Sequence, residues 1–180
     1  MKLTEEEKRC LIDIIARHSL WVDPRIVEQI PVVYPLTRRK SGTKEKRNTM
    51  VNGLRVWDNQ PARLALRIAL DHRKVKDVCT CHIFQGTVHD PKYFTHLGNL
   101  IEVPRDLESL TELECVNDVL MYRSYELYGL KNGEAPSKPN YYPTKWRSYK
   151  ITPEEVEERV KELIHQRGTR PEFRRRKERS

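Results

Sequence analysis

The residues best suited to chemistry are concentrated between Val78 and Glu112. Three of the six histidines and two of the four cysteines of this 180-residue chain fall in this stretch. A neutral imidazole can accept a proton near pH 7, so His82 is the first candidate for acid-base chemistry. Asp90 and Glu108 follow in the same stretch and offer the hard carboxylate oxygens that Mg²⁺ prefers. These residue types indicate a candidate centre for proton transfer beside a divalent cation.

The elements that must position these residues are a strand, a loop, a second strand and a helix. The apolar run Val78 to Phe84 predicts the first strand, and Leu100 to Val103 predicts the second, which Pro104 closes. Arg105 to Leu110 predicts the opening of a helix. His82 would then lie where the first strand ends, and it would face a substrate from there.

This stretch resembles the HNH, or ββα-metal, nuclease motif. The strand histidine of that family is matched by Cys81-His82-Ile83, and the Asn-Leu segment after the loop is matched by Asn99-Leu100-Ile101-Glu102-Val103. In the family, the helix that follows carries a last His or Asn as a metal ligand. The corresponding position here falls near Glu108, and the predicted helix has no histidine. The resemblance covers about 35 of the 180 residues.

The resemblance implies an α+β fold with a small ββα-metal-like centre, surrounded by helices and carrying basic flexible arms. It implies a metal-dependent endonuclease that hydrolyses phosphodiester bonds in DNA. In that interpretation His82 is the general base, and Asn99 orients either the loop or the His82 ring. The implied cofactor is a divalent ion, expected to be Mg²⁺, which Asp90 and Glu108 would contact and which would stabilise the leaving 3′-oxygen.

Each of these residues also has a purely structural interpretation. Asn99 lies in a sequence context typical of a turn, Asp90 precedes a proline as turn openers do, and Glu108 suits a solvated helix face. The second hypothesis is therefore a non-catalytic nucleic-acid-binding protein on an HNH-like scaffold. The absence of the last ligand and Cys81 in front of His82 favour it, whereas a carboxylate facing His82 would favour the enzyme. A third hypothesis is a basic protein associated with RNA.

The cysteines do not follow a usual zinc-binding spacing. Alternate strand residues share a face, so Cys79 and Cys81 are predicted to lie on one side of the strand and His82 on the other. We therefore prefer buried strand residues to a zinc site. Cys10 and Cys115 lie on helical patterns and are predicted to be core residues.

The charge of the chain points to phosphate-bearing partners. The net charge is +8 and the sequence pI is about 9.4, which favours phosphate-bearing partners but does not identify them. With the nuclease resemblance, the expected partner is DNA, and RNA is the alternative. The basic run from Arg38 to Arg47 predicts a loop or arm, with a solvated linker as the alternative. The tail from Thr169 to Ser180 is almost devoid of apolar residues and is predicted to be disordered when free. The candidate nucleic-acid contacts are Arg38, Arg39, Lys40, Lys44, Arg174, Arg175 and Arg176.

Composition and length predict the organisation of the chain. Only 37% of the residues are hydrophobic, and no apolar run approaches the roughly 20 residues of a membrane span. Scattered cysteines and the lack of a secretory signal favour a reducing, cytoplasmic setting. We predict a helical N-terminal region with a basic arm (1–50), an HNH-like core with flanking helices (51–130), and a wrapping loop, C-terminal helix and basic tail (131–180). A two-fold homodimer would allow both DNA strands to be cut, but no stretch identifies its interface.

Overall fold

The chain folds as a mixture of helices and small antiparallel and mixed sheets, which confirms the predicted α+β class. The computed structural model describes residues 3–40, 49–51, 53–72, 75–148 and 150–169. The α-helices are α1 (Glu5–His18), α2 (Pro24–Gln29), α3 (Gln60–Ala69), α4 (Glu114–Tyr128) and α5 (Pro153–Thr169). The strands are β1 (Leu36–Arg38), β2 (Thr49–Val51), β3 (Leu54–Trp57), β4 (Val78–His82) and β5 (Leu100–Pro104). Within these ranges no helix combines the length and apolarity needed to cross a membrane.

The helix starts follow directly from the sequence. The Thr4 hydroxyl accepts a hydrogen bond from the Glu7 amide, and the Glu7 carboxylate accepts one from the Thr4 amide at 2.7 Å. Thr152 and Glu155 form the same reciprocal pair ahead of α5. Each pair satisfies amide groups that the helix itself cannot bond, so both capping boxes fix where a helix begins. Pro61 lies in the first turn of α3, where its missing N–H costs nothing.

A three-stranded sheet holds the end of β1 against the rest of the molecule. Its order is β1-β3-β2, with β1 parallel and β2 antiparallel to β3. The Thr37 hydroxyl donates to the His89 carbonyl oxygen at 2.6 Å, and His89 Nδ1 lies 2.9 Å from the Arg38 carbonyl oxygen. These contacts attach the end of β1 to the loop that follows β4.

An antiparallel pair, β4 and β5, forms the second sheet. Its register pairs Val78 with Pro104 and His82 with Leu100. The segment after β5 is a 3₁₀ helix, Arg105–Glu112, whereas the sequence predicted the opening of an ordinary helix there. Leu107 and Leu110 both pack against the core, and a 3₁₀ helix places residues three apart on the same face. The α-helix proper, α4, begins only after the extended backbone of Leu113.

Two hydrophobic cores lie on either side of this strand pair. Leu97 and Leu100 belong to the core built on α2, α3 and α5, while Ile101 and Val103 belong to the core built on α1 and α4. The prediction for Cys10 was wrong, because α1 buries the face that carries Ile12, Ile15 and Ala16 and leaves Cys10 exposed. Cys115 is partly buried against the second core. Both cores include residues from all three predicted regions.

The loop between α4 and α5 packs across the second core through its aromatic rings. Trp146 meets the Trp21 ring edge-on at 5.7 Å between centroids, and the Arg123 guanidinium lies 5.1 Å from the Trp146 ring centroid. The Tyr142 hydroxyl donates to the Glu126 carboxylate at 2.6 Å. This part of the chain therefore packs across the domain through its aromatic side chains.

Candidate functional site

A cavity of about 330 Å³ lies beside β4 and brings together several residues that the sequence singled out. His82 and Glu108 both line it, and so does Arg38 from the end of β1. Asn59, at the start of α3, and Glu112, at the end of the 3₁₀ helix, add further polar groups, as do Thr80, Gln85 and Thr111. The cavity thus combines an imidazole, carboxylates and a guanidinium.

The His82 ring is held by two contacts with Phe94. The rings stack with 5.7 Å between centroids and an interplanar angle of 8°. His82 Nε2 lies 3.0 Å from the Phe94 carbonyl oxygen. Because a carbonyl oxygen can only accept, Nε2 carries the hydrogen and Nδ1 keeps its lone pair in the neutral ring. His82 is therefore a fixed imidazole with one nitrogen available as a base.

Burial keeps His82 neutral at physiological pH. Removal of the ring from water lowers the pKa of His82 to about 4, and the positive charge of Arg38 acts in the same direction. The Phe94 carbonyl opposes this shift but does not cancel it. The ring is consequently unprotonated across the neutral pH range, as a general base must be before it acts, although so low a pKa makes it a weak base.

Asn99 holds the loop between β4 and β5. Its fully buried side chain accepts from the Phe84 amide at 2.8 Å and donates to the Tyr93 carbonyl oxygen at 3.0 Å. The same amide group lies 3.3 Å from the Thr87 hydroxyl. These bonds close the loop whose Phe94 carbonyl orients His82. Of the two roles expected for Asn99, the structure shows the loop contacts.

The carboxylates of the cavity are Glu108 and Glu112. Glu108 is exposed, and its Oε2 accepts from the Cys79 thiol at 3.1 Å. The sequence predicted that Asp90 and Glu108 would contact the same metal ion. This prediction needs correction for Asp90, because Asp90 is not part of the cavity lining. The Asp90 carboxylate instead accepts from the Lys92 amide at 2.8 Å and closes a turn. The sequence did not single out Glu112, which ends the 3₁₀ helix and lines the cavity together with Glu108.

A metal ion bound in this cavity would need some of its ligands from water and substrate. Among the residues described, no group of three or more His, Cys, Asp or Glu side chains is arranged to hold a metal. Mg²⁺ is commonly bound by one or two carboxylates together with waters and substrate phosphate oxygens. Glu108 and Glu112 fit that type of site. They do not form a cage that would hold the ion by protein groups alone.

The strand cysteines are buried and protonated. Cys79 and Cys81 are 9% and 8% exposed, and both contribute to the second core. Burial raises the pKa of Cys79, and it raises the pKa of Cys81 to about 12. A thiol must lose its proton to bind zinc, so these values favour the interpretation as buried strand residues.

The first of the predicted nucleic-acid contacts is placed differently from the expectation. Arg38 was assigned to an arm, yet it ends β1 and lines the cavity. Arg39 and Lys40 follow it and are exposed. Four further candidates lie outside the described residues: Lys44, Arg174, Arg175 and Arg176. Local sequence could not place Arg38, because its position depends on pairing with a strand nearly twenty residues later.

Comparison of the chain with protein-family models, with curated proteins and with solved structures found no match in any of the three. The residues of the site and their geometry therefore carry the functional interpretation.

Proposed function

We propose that this chain is a metal-dependent endonuclease that hydrolyses phosphodiester bonds in DNA, with His82 as the general base. The observation that carries the proposal is the His82 imidazole, held by the Phe94 carbonyl beside a cavity lined by Glu108. A strand pair followed by a helical segment supports a ββα-metal-like centre. The net charge of +8 suits a phosphate-rich partner.

The proposed reaction begins with a water molecule beside His82. Nδ1 accepts a proton from this water as its oxygen attacks phosphorus in line with the leaving 3′-oxygen. Phe94 keeps the ring oriented while the imidazolium forms, because its carbonyl already bonds the opposite nitrogen. When bound, Mg²⁺ would supply positive charge for the phosphate and leaving oxygens. Glu108 and Glu112 would hold it.

A non-catalytic nucleic-acid-binding protein is the second candidate. Two observations favour it: no three-ligand metal group among the described residues, and Cys81 directly before His82. The carboxylates that share the cavity with His82 favour the enzyme instead. A binder would need neither a neutral imidazole nor carboxylates facing a phosphate, since those carboxylates repel it.

Cleavage of supercoiled plasmid tests the proposal. We expect nicked and linear DNA with Mg²⁺ or Mn²⁺, and intact plasmid with EDTA. Salt-dependent binding of DNA without cleavage under any divalent ion would support the binding protein. A parallel reaction on RNA distinguishes the two nucleic acids.

A further inference from the structure

We infer that Arg38 binds the phosphodiester group on which His82 acts, through its guanidinium and two non-bridging phosphate oxygens. The inference rests on the proposed phosphodiester substrate. It gives Arg38 a role within the site that differs from the general attraction of a basic arm.

The backbone of Arg38 is fixed from two directions. In the sheet, Arg38 pairs with Trp57, and the next amide, that of Arg39, donates to the Trp57 carbonyl oxygen at 2.7 Å. On the other side, the Arg38 carbonyl lies 2.9 Å from His89 Nδ1, in the loop between β4 and β5. A side chain attached to this backbone starts from a defined point beside the cavity, which is what positioning of a substrate requires.

The guanidinium is available to a ligand. The Arg38 side chain is exposed at the cavity, and within the described part of the chain it makes no hydrogen bond or ion pair. It lies close enough to His82 for its charge to lower the pKa of that ring. Base and cation therefore face the same space.

The charges of the cavity require a cation for phosphate to enter. Glu108 and Glu112 both line it, and among the described lining residues Arg38 is the one Lys or Arg. A phosphodiester carries a negative charge that these carboxylates repel. A guanidinium offers paired N–H donors at the spacing of two phosphate oxygens, so it supplies both attraction and orientation.

The first test compares Arg38 with an arginine far from the cavity in sequence. Arg38→Ala should lower the rate of plasmid nicking about 100-fold or more, as loss of one preorganised charge donor does in other enzymes. Arg38→Lys, which keeps the charge but loses the paired donors, should recover part of that rate. Arg17→Ala, which removes an exposed arginine of α1 that does not line the cavity, is the control and should change the nicking rate by less than roughly threefold. DNA affinity of all variants is measured by fluorescence anisotropy at several salt concentrations.

Equal losses of rate in Arg38→Ala and Arg17→Ala, or a loss of rate in Arg38→Ala that only follows its loss of DNA affinity, would overturn the inference. Arg38 would then be one of several backbone contacts. A selective loss of rate in Arg38→Ala, with DNA affinity close to that of the control, supports it.

The second test does not depend on cleavage. A thymidine dinucleotide, which contains a single phosphodiester, is titrated into the protein while the ring resonances of His82 are followed by NMR. We expect a saturable shift in the wild type that is lost in Arg38→Ala and retained in Arg17→Ala. Such a result in a protein that cuts no DNA would refute the proposed function and keep the phosphate site. The absence of a shift in the wild type, or an equal shift in Arg38→Ala, would refute the phosphate site.

Discussion

At the scale of single residues, the site depends on a short series of contacts that leads to one imidazole. Asn99 bonds the two ends of the loop, and the loop presents the Phe94 carbonyl. That carbonyl fixes His82 with Nδ1 free to act as a base. Asn99 is thus a positioning residue, which acts on His82 through the backbone between them.

Asn99→Ala tests this positioning role. The substitution leaves the buried Phe84 amide and the Tyr93 carbonyl without their partner. Each unsatisfied buried group costs about 1–3 kcal/mol, so we expect the free energy of unfolding to fall by roughly 2–4 kcal/mol. Urea unfolding measures the change, and Asn140→Ala, at an exposed position, should stay within about 0.5 kcal/mol of the wild type. An Asn99 variant as stable as this control would show that the amide does not hold the loop.

Sequence reasoning singled out the side chains to which our proposal assigns the chemistry, but not their partners. His82, Asn99 and Glu108 stood out because their types and spacing form a motif. The Phe94 carbonyl could not be identified in this way. Every residue has a backbone carbonyl, and only the path of the loop decides which one bonds His82. Asp90 was misplaced for a related reason, because a carboxylate before proline serves a turn as readily as a metal.

At the scale of elements, the loop reaches β5 through a close approach to α4. The Gly98 carbonyl accepts from the buried Ser124 hydroxyl of α4 at 2.7 Å. A β-carbon on Gly98 would come within 2.8 Å of Tyr128 Cδ2 and 3.2 Å of His96 Cε1. Tyr128 cannot easily withdraw, since its hydroxyl donates to the Val22 carbonyl oxygen at 2.7 Å. Glycine is therefore required at position 98 by space.

Gly98→Ala should destabilise the protein through this clash. We expect a loss of about 1–3 kcal/mol, the usual cost of inserting a carbon into a packed contact. Gly168→Ala, in helix α5, is the matched control because a β-carbon there meets nothing within 4 Å. Alanine also favours a helix over glycine by up to about 1 kcal/mol, so the control should be unchanged or more stable. Thermal unfolding measures both, and equal midpoints would contradict the packing described.

The elements themselves were predictable where local signals act alone. Capping boxes begin α1 and α5, and a proline lies in the first turn of α3. These contacts lie within one helical turn, so local sequence is enough to locate them. The 3₁₀ helix Arg105–Glu112 was not distinguished from an α-helix. Whether this segment forms a 3₁₀ helix or an α-helix depends on how Leu107 and Leu110 pack against the core, which is a tertiary contact.

At the scale of the whole molecule, the site lies where two hydrophobic cores meet. One face of the β4 and β5 pair packs in the core that includes α1 and α4. The side toward the loop between these strands packs in the core that includes α2, α3 and α5. Distant segments close the structure, as when the Arg147 amide donates to the Ala16 carbonyl oxygen at 2.9 Å. No local sequence pattern predicts such a contact.

The two buried histidines of this region should make stability depend on pH. Burial lowers the pKa of His82 and of His96 to about 4, from 6.5 for an exposed ring. As pH falls below 6.5 the unfolded chain takes up protons that the folded chain refuses, so stability is lost between 6.5 and 4. The full contribution, present above the unfolded pKa, is roughly 3 kcal/mol per ring at most.

Unfolding free energies from urea titrations at several pH values check this dependence. We expect the wild type to lose stability steadily from about pH 6.5 to about pH 5, above the range in which ordinary carboxylates titrate. His96→Asn keeps an acceptor for the Gly98 amide but does not titrate, so its slope should be about half as steep. Parallel slopes in the two proteins would show that His96 is not buried in its neutral form.

The central claim, that His82 acts as the base in phosphodiester cleavage, is tested most directly by the nicking rate of His82→Ala. With Mg²⁺ present, the rate should fall by about 100-fold or more, the usual contribution of a general base, while DNA affinity stays within roughly threefold. His165→Ala, which removes an exposed histidine of α5, should nick at the wild-type rate. Metal-dependent nicking by His82→Ala at the wild-type rate would contradict the account.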